Sequence, residues 1–589
     1  MIAYSVRFPA PHTHRIEVEL VVTPARGALE IALPAWSPGS YLVRDYARHV
    51  EELRADAGGR TARVLKLDKH TWRIESDAPG PVRVRYRVYA HELTVRTSHH
   101  DDRHAFVHGP SVFFRVLGRE DEACQVSVEA PPGWTTVTAL DEAAPGVFRA
   151  SGYDELADSP IEVGQLELLR FDASGKPHVI AVVDAGQLAW DREALVADAR
   201  AVVEEVARFW GGEPPYARYA FIVMLLPGGH GGLEHKASSA ILTSPFSLPR
   251  PGQGWDRKKY EDLLELLCHE FFHTWNVKRI RPEALGPFDY TRENYTRALW
   301  AMEGVTAYYD RLLVRRAGRM SIAGWCERAA DDIGKLRRTP GRRLQSLEEA
   351  SFDAWIKLYK PDEHSVNSTV SYYLKGSLVM LALDLEIRLR SEGRCSLDDG
   401  MRALWEAARG GGPGFADASF QRRIGDAVGL DLGEFFARFV EGRDDPPLEE
   451  LLARAGLALE AEGADEDEPK SWLGWVVEGG AGGLRVRSVL DGGPASKAGV
   501  YPGDEVIALD GYRVTHEGSL TERLGRALVG ETVKLTLFRR ERLTEVALTL
   551  EAAPTTKWTL GVAEAADAGA AALRAAWLGA DTPGGTKLP

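Results

Sequence analysis

The chain has 589 residues, too many for one hydrophobic core, so three or four domains are expected. Its 44% hydrophobic and 27% charged content is ordinary for a globular protein, and 86 Asp+Glu against 72 Lys+Arg gives a net charge of -14, which argues against non-specific nucleic-acid binding and against a polybasic membrane face. Cys124, Cys268, Cys326 and Cys395 have no C-x-x-C spacing and are too sparse for a disulfide framework, which points to thiols in a reducing compartment; no apolar run approaches membrane-spanning length.

The first residues, Met1-Ile2-Ala3-Tyr4-Ser5-Val6-Arg7, lack an apolar signal core and run straight into strand-like sequence. A cytoplasmic location is expected, or a periplasmic one reached through a leader since removed. Residues 1–170 read as all-β: Arg15 to Val22 and Val82 to Tyr89 alternate with period two, and turn clusters such as Asp56-Ala57-Gly58-Gly59 separate the runs. His99, His100, Asp101, Asp102 and His104 cluster, but with no element to fix their geometry they read as a polar loop, and no catalytic constellation is expected in this region.

From 171 the pattern changes. Leu195 to Trp210 keeps helical spacing and ends before Pro214-Pro215; Tyr219 to Leu226 is a strongly apolar strand. Pro227 to His235 is glycine-rich. Gly231, Gly232 and Leu233 would let a peptide backbone approach a sheet edge, and Glu234, if buried, would need a cation such as a free α-amine. The same stretch also reads as a surface loop with a solvated Glu.

Tyr260 to Leu267 favours helix and leads into His269-Glu270-Phe271-Phe272-His273, an H-E-x-x-H pattern. Imidazoles at i and i+4 share one helix face and can grip one zinc ion, while Glu270 can reach a water at the open position of the metal; the plainer alternative is a buried helix with two hydrogen-bonded histidines. A second helix is expected from Asn294 to about Arg315. Glu303 stands there among apolar residues, either as the third zinc ligand or as a structural Glu paired with Arg297. Three protein ligands leave a fourth position for water, as a catalytic zinc needs.

A long helix opens at Tyr372-Tyr373-Leu374 and runs through Leu389; Tyr373 could donate to an oxyanion or simply pack. Helices continue to about 456, with breaks at Gly410 to Gly414 and Asp444 to Pro447. Residues 459–470 are an acidic linker, strands resume in 471–553, and 554–589 is an extension, helical from Ala563 to Leu578 and frayed from Thr582.

With those residues in view, the chain resembles the glycyl monoaminopeptidase family of zinc metallopeptidases with a C-terminal PDZ domain, gluzincins distantly like aminopeptidase N. The resemblance covers nearly the whole chain. His269-Glu270-Phe271-Phe272-His273-Thr274-Trp275-Asn276-Val277-Lys278-Arg279 is similar to its zinc helix, and Trp300-Ala301-Met302-Glu303-Gly304-Val305-Thr306 to its third-ligand helix. Gly231-Gly232-Leu233-Glu234-His235 resembles the exopeptidase loop of aminopeptidases, with His235 in place of an Asn. Tyr373-Leu374-Lys375-Gly376 resembles the relatives' Tyr-x-Lys-Gly, whose Tyr stabilises the oxyanion. Gly493 to Ile507 carries a PDZ signature, and Trp472-Leu473-Gly474-Trp475 falls where that fold's carboxylate-binding loop would be.

The resemblance implies a multidomain chain: an N-terminal β-sandwich (1–170), a thermolysin-like α+β, mostly α catalytic domain with a helical C-terminal part (171–458), and a PDZ domain (471–553). It implies one Zn2+ per chain on His269, His273 and Glu303, Glu270 as base, Tyr373 at the oxyanion, Glu234 on the substrate amine, and a preference for Gly or Ala. Expected partners are peptides with a free N-terminus and a C-terminal peptide at the PDZ domain. Two alternatives stand: a PDZ-guided zinc endopeptidase, and a non-catalytic PDZ scaffold.

Overall fold

The structure is a computed structural model and describes residues 1–25, 27–75, 80–183, 185–186, 188–250, 256–462, 471–479, 483–555 and 557–580. The period-two alternation in the N-terminal region becomes an eight-stranded sheet with Ile2–Arg7, Arg15–Ala25 and Gly80–Tyr89 near its centre. Ile16, Val18, Leu20 and Val22 point inward and are buried, while Glu17 and Glu19 on the opposite face meet Arg87 at 2.8 Å and Arg85 at 2.7 Å. A four-stranded sheet that includes Leu29–Ala32 and Thr71–Glu75 lays Ile31, Trp72 and Ile74 into the same core, so the domain is a sandwich.

A third sheet differs from the sequence reading. His99–His100 pairs with His104–Val107, which pairs with Ile161–Gly164, so the histidine cluster expected on a polar loop lies on paired strands and turns inward. The reason is Phe106, fully buried against Val183, Ile222 and Met224 of the following domain, which pins the short strands between two cores.

The next sheet has five strands in the order Leu166–Ala173, Lys176–Val183, Tyr219–Leu225, Ser238–Thr243, Gly231–Glu234. Leu166 already pairs with Val183, so this domain begins near 166 rather than 171. Gly231–Glu234 forms an edge strand antiparallel to Ser238–Thr243. Over the sheet lie the helices Arg192–Phe209 and Arg257–Phe272, capped by Asp191 and Asp256 through hydrogen bonds to backbone N–H groups.

The PDZ domain is inserted into the helical part. Leu457–Glu462, the start of the predicted linker, is a strand paired with Lys557–Val562, and these two strands bracket everything between them. Most of the predicted acidic linker, 463–470, and the predicted frayed tail, 582–589, lie outside the described residues. The helix expected from Ala563 spans Ala568–Leu578 and carries Trp577, fully buried, to Tyr308, whose hydroxyl accepts from its indole N–H at 2.9 Å. Within the insert a sheet built on Trp475–Gly479, Leu484–Val489, Glu505–Leu509, Thr532–Arg539 and Arg542–Thr549 closes its own core. It docks on the catalytic domain through buried Asn367, which donates to Val489 O at 2.8 Å and accepts from Asp491 N at 3.0 Å.

Candidate active site

Leu263, Leu264, Leu267, Phe271 and Phe272 recur at helical spacing and are buried, which seats the Arg257–Phe272 helix. Phe271 packs on Tyr219 and Phe221 of the sheet, Phe272 on Phe209 and Tyr309, each ring contributing roughly 1.5–3 kcal/mol by burial. That seat turns His269 and Glu270 toward the cleft. His273 is the residue after the last turn and keeps right-handed helical dihedrals, so the i, i+4 relation survives the helix end.

Each imidazole is held by its outer nitrogen: His269 Nδ1 meets Asp310 Oδ2 at 2.9 Å, and His273 Nδ1 donates to Asn276 O at 2.6 Å. These partners fix Nε2 as the inward nitrogen of both rings. The two Nε2 atoms are 3.1 Å apart and lie 3.6 and 3.2 Å from Glu303 Oε2. With the imidazoles neutral, two nitrogen lone pairs and a carboxylate oxygen would be aimed at one point and would repel one another unless a cation or shared protons stood among them.

Glu303 reaches that point from a π-helical turn, Trp300–Gly304, that runs into the helix Val305–Arg316. The predicted helix thus starts later than Asn294, because Asp417 takes the Thr296 hydroxyl and the Arg297 N–H and holds those residues outside it. Arg297 lies over the Phe352 ring, so it is not the partner of Glu303. Gly304 faces Gly376: a Cβ on Gly304 would come 2.7 Å from Gly376 Cα. That backbone contact draws in the helix Leu374–Arg390 and sets Tyr373, the residue before it, with its ring stacked at 6.3 Å on His269.

The edge strand brings the glycine-rich residues to the same place. Gly232 lies against the Glu270 carboxylate so closely that a Cβ there would sit 1.8 Å from Oε1. Glu234 is 4% exposed and its Oε1 has no hydrogen-bond partner; Glu270 Oε2 is likewise buried without one, while Glu303 Oε2 faces the two imidazole Nε2 atoms. Three buried carboxylates, Glu234, Glu270 and Glu303, thus line one cleft of about 470 Å³. Lys278, the nearby buried ammonium, is held by Asp158 at 2.8 Å, and His235 turns its ring onto the same Asp158.

Burial and neighbouring charges set the protonation of these groups. Burial opposes charge on the imidazoles, but hydrogen bonds to Asp310 and Glu303 outweigh it and hold His269 well above its usual range; the charge of Glu303 raises His273 likewise. Burial works against ionised Glu303 as well, yet His273 and the hydrogen bonds from both imidazoles bring it to about 2. Burial pushes Glu270 up to about 7 against the pull of both imidazoles, with Glu234 and Glu303 adding repulsion. Burial and then the charge of Glu303 keep the Tyr373 hydroxyl protonated far above the ordinary range.

Several contributors escape a reading by motif. Asp310 is seven residues after Glu303, two turns along one helix face, and that spacing is the one signal that could have found it. Gly39 and Arg96 come from the N-terminal domain, where no site residue was expected. Gly39, at φ +86°, leaves room for Glu234, whose Oε2 would be 2.6 Å from a Cβ there, and Arg96 Nη2 donates to Gly232 O at 3.3 Å. No local pattern marks either. In the PDZ domain, Trp472 pairs with Glu551 in a separate two-stranded ladder, Leu473 is buried, Gly474 at φ +74° lies against Gly493, and Trp475 opens the strand next to the helix Glu517–Leu524.

The M61 peptidase N-terminal domain model matches residues 3–165, the M61 glycyl aminopeptidase model residues 262–379, and the PDZ domain model residues 467–550. A crystal structure of an aminopeptidase N family protein from Idiomarina loihiensis superimposes with a TM-score of 0.92 at 32% identity, over 98% of this chain and 100% of that one. An M1 zinc metallopeptidase from Deinococcus radiodurans aligns over 76% of this chain and 94% of its own at 15% identity with a TM-score of 0.45. A probable periplasmic serine endoprotease, DegP-like, from Brucella suis biovar 1 is 35% identical over 89 residues, 15% of this chain; the chain spans 17% of the length of that curated relative. The near-complete match to the Idiomarina protein and the M61 models over both the sandwich and the motif helices place this chain in the M61 glycyl aminopeptidase family of peptidases.

Proposed function

We propose that the chain is a zinc-dependent aminopeptidase that removes N-terminal residues from peptides, with one Zn2+ held by His269, His273 and Glu303. The observation that carries this reading is the convergence of two oriented Nε2 atoms and one buried carboxylate oxygen beside a second carboxylate, Glu270, that takes no part in it. The donor set fits zinc, two imidazoles and a carboxylate with outer partners on both rings. Zinc bound there would supply a Lewis acid for the scissile carbonyl and a water acidified enough to attack it.

The chain's own residues do the rest. Glu270 accepts a proton from the attacking water and delivers it to the leaving amine. Tyr373, kept protonated, donates its hydroxyl to the developing oxyanion. The edge strand Gly231–Glu234 offers backbone groups to an extended substrate, with no side chain at Gly231 or Gly232 to hold it off. Glu234 lies at the end of that strand as a buried anion and pairs with the substrate α-ammonium, so one residue is removed at a time. Preference for Gly or Ala in first position rests on family membership. At the PDZ domain, Trp472, Leu473, Gly474 and Trp475 would receive a C-terminal carboxylate.

Paired peptides of one sequence, with free and N-acetylated ends, test the reading. Only the free peptide should be cut; equal rates would favour a PDZ-guided endopeptidase. Activity lost to a chelator and restored by Zn2+ separates both enzymes from a non-catalytic scaffold.

A further inference from the structure

A histidine–aspartate cluster in the N-terminal domain repeats the hydrogen-bonding pattern of the two imidazoles of the main site. Ligand atoms of His99, Asp101 and His104 lie within 4.8 Å of one another. His99 Nδ1 meets the His91 carbonyl at 2.8 Å, as His273 Nδ1 meets that of Asn276; His104 Nδ1 meets Glu162 Oε1 at 2.9 Å, as His269 Nδ1 meets Asp310. One backbone carbonyl and one carboxylate orient two imidazoles in both places, so Nε2 is the nitrogen each ring would present to a cation. The rings stand 4.9 Å apart.

Asp101 is held in the same manner. Its Oδ1 accepts from Arg103 N at 2.8 Å and His104 N at 3.0 Å, which leaves Oδ2 facing His99 Nε2 at 3.1 Å. That Nε2 is buried and has no aligned hydrogen-bond partner, and Glu162, fully buried behind His104, has an unpartnered Oε2. Asp101 is the most open of the set, its side chain 32% exposed, and gives the cluster an entrance from solvent.

We propose that His99, Asp101 and His104, with Glu162 orienting His104, form a second metal site for a borderline divalent cation of the zinc class, which two imidazoles and a carboxylate select over Ca2+ or Mg2+. Its role is structural. It ties the segment carrying Arg96 toward the cleft to the strand His104–Val107, and it acts independently of the peptidase chemistry.

Metal analysis of the full chain, loaded with Zn2+ and dialysed, should find two ions per chain, and His99→Gln should find one while the peptidase site remains filled. Cobalt binding to the His269→Ala/His273→Ala variant isolates the second site: one equivalent with visible ligand-field absorption is expected, abolished by adding His99→Gln. Circular dichroism verifies that each variant is folded; if the double variant fails to fold, the metal content of wild type against His99→Gln decides. Wild-type metal content that His99→Gln leaves unchanged, or cobalt retained when His99 and His104 are both Gln, would overturn the assignment and leave the cluster as two histidine–carboxylate pairs.

Discussion

Replacing Gly232 by Ala tests whether Glu270 acts from the position it occupies. The added Cβ would lie 1.8 Å from Glu270 Oε1 and 2.3 Å from its Cδ, against the 3.4 Å at which ordinary contact begins. Carboxylate or strand must therefore yield by about 1.6 Å, and a misplacement of about 1 Å of a reacting group costs on the order of 100-fold in rate. The structure thus predicts a fall in kcat/KM of at least about 100-fold, about 2.7 kcal/mol of transition-state stabilisation. Glu270→Gln sets the floor, since it removes the base altogether, a loss of roughly 10²- to 10⁴-fold. Neither change touches His269, His273 or Glu303, so metal content should stay at the wild-type level in both. The assays are turnover of an aminoacyl reporter and metal analysis of the same sample. Activity of Gly232→Ala within about threefold of wild type, or metal lost together with activity, would refute the placement of Glu270 as the base.

Further outcomes follow from the same geometry. Asp310→Ala frees the outer nitrogen of His269 and should weaken Zn2+ binding by about 10- to 100-fold, measured by competition with a chelator; unchanged affinity would deny Asp310 its orienting part. In the metal-free protein the folded-state pKa of Glu270, about 7, lies above its ordinary 4.5, so the fold holds that proton more tightly than the unfolded chain does. The resulting penalty is absent below about 4.5 and grows as pH rises to 7, so the melting temperature of chelated wild type should drop relative to chelated Glu270→Gln between pH 5 and 8; a constant gap would contradict it. With a bivalent cation in the site Glu270 ionises more easily, which puts the acid limb of kcat/KM below pH 7. Trp577→Ala empties a fully buried site beside Tyr308 and Trp325 and should cost about 3–5 kcal/mol in denaturant unfolding; a loss under 1 kcal/mol would mean that the C-terminal helix is not part of the catalytic domain's core.

The amino-acid sequence alone determined what depends on neighbours along the chain. Alternation in Arg15 to Val22 made strands of the sandwich, and helical spacing before His269 put two imidazoles on one face, since both patterns follow from the backbone periods of 2 and 3.6 residues. The apolar setting of Glu303 marked it because a buried carboxylate needs a cation whatever the fold. The tertiary structure decided what depends on distant segments meeting. It put Gly39 and Arg96 of the sandwich against the strand that holds Glu234, and set Gly304 on Gly376 so that Tyr373 lies by His269. It closed Leu457–Glu462 on Lys557–Val562 around the PDZ domain. It also turned a run of His and Asp that reads as a wet loop into a buried cluster, because Phe106, two residues past His104, is drawn into a core built by the next domain. Burial is a property of the assembled fold, and a residue's own neighbours in the chain do not encode it.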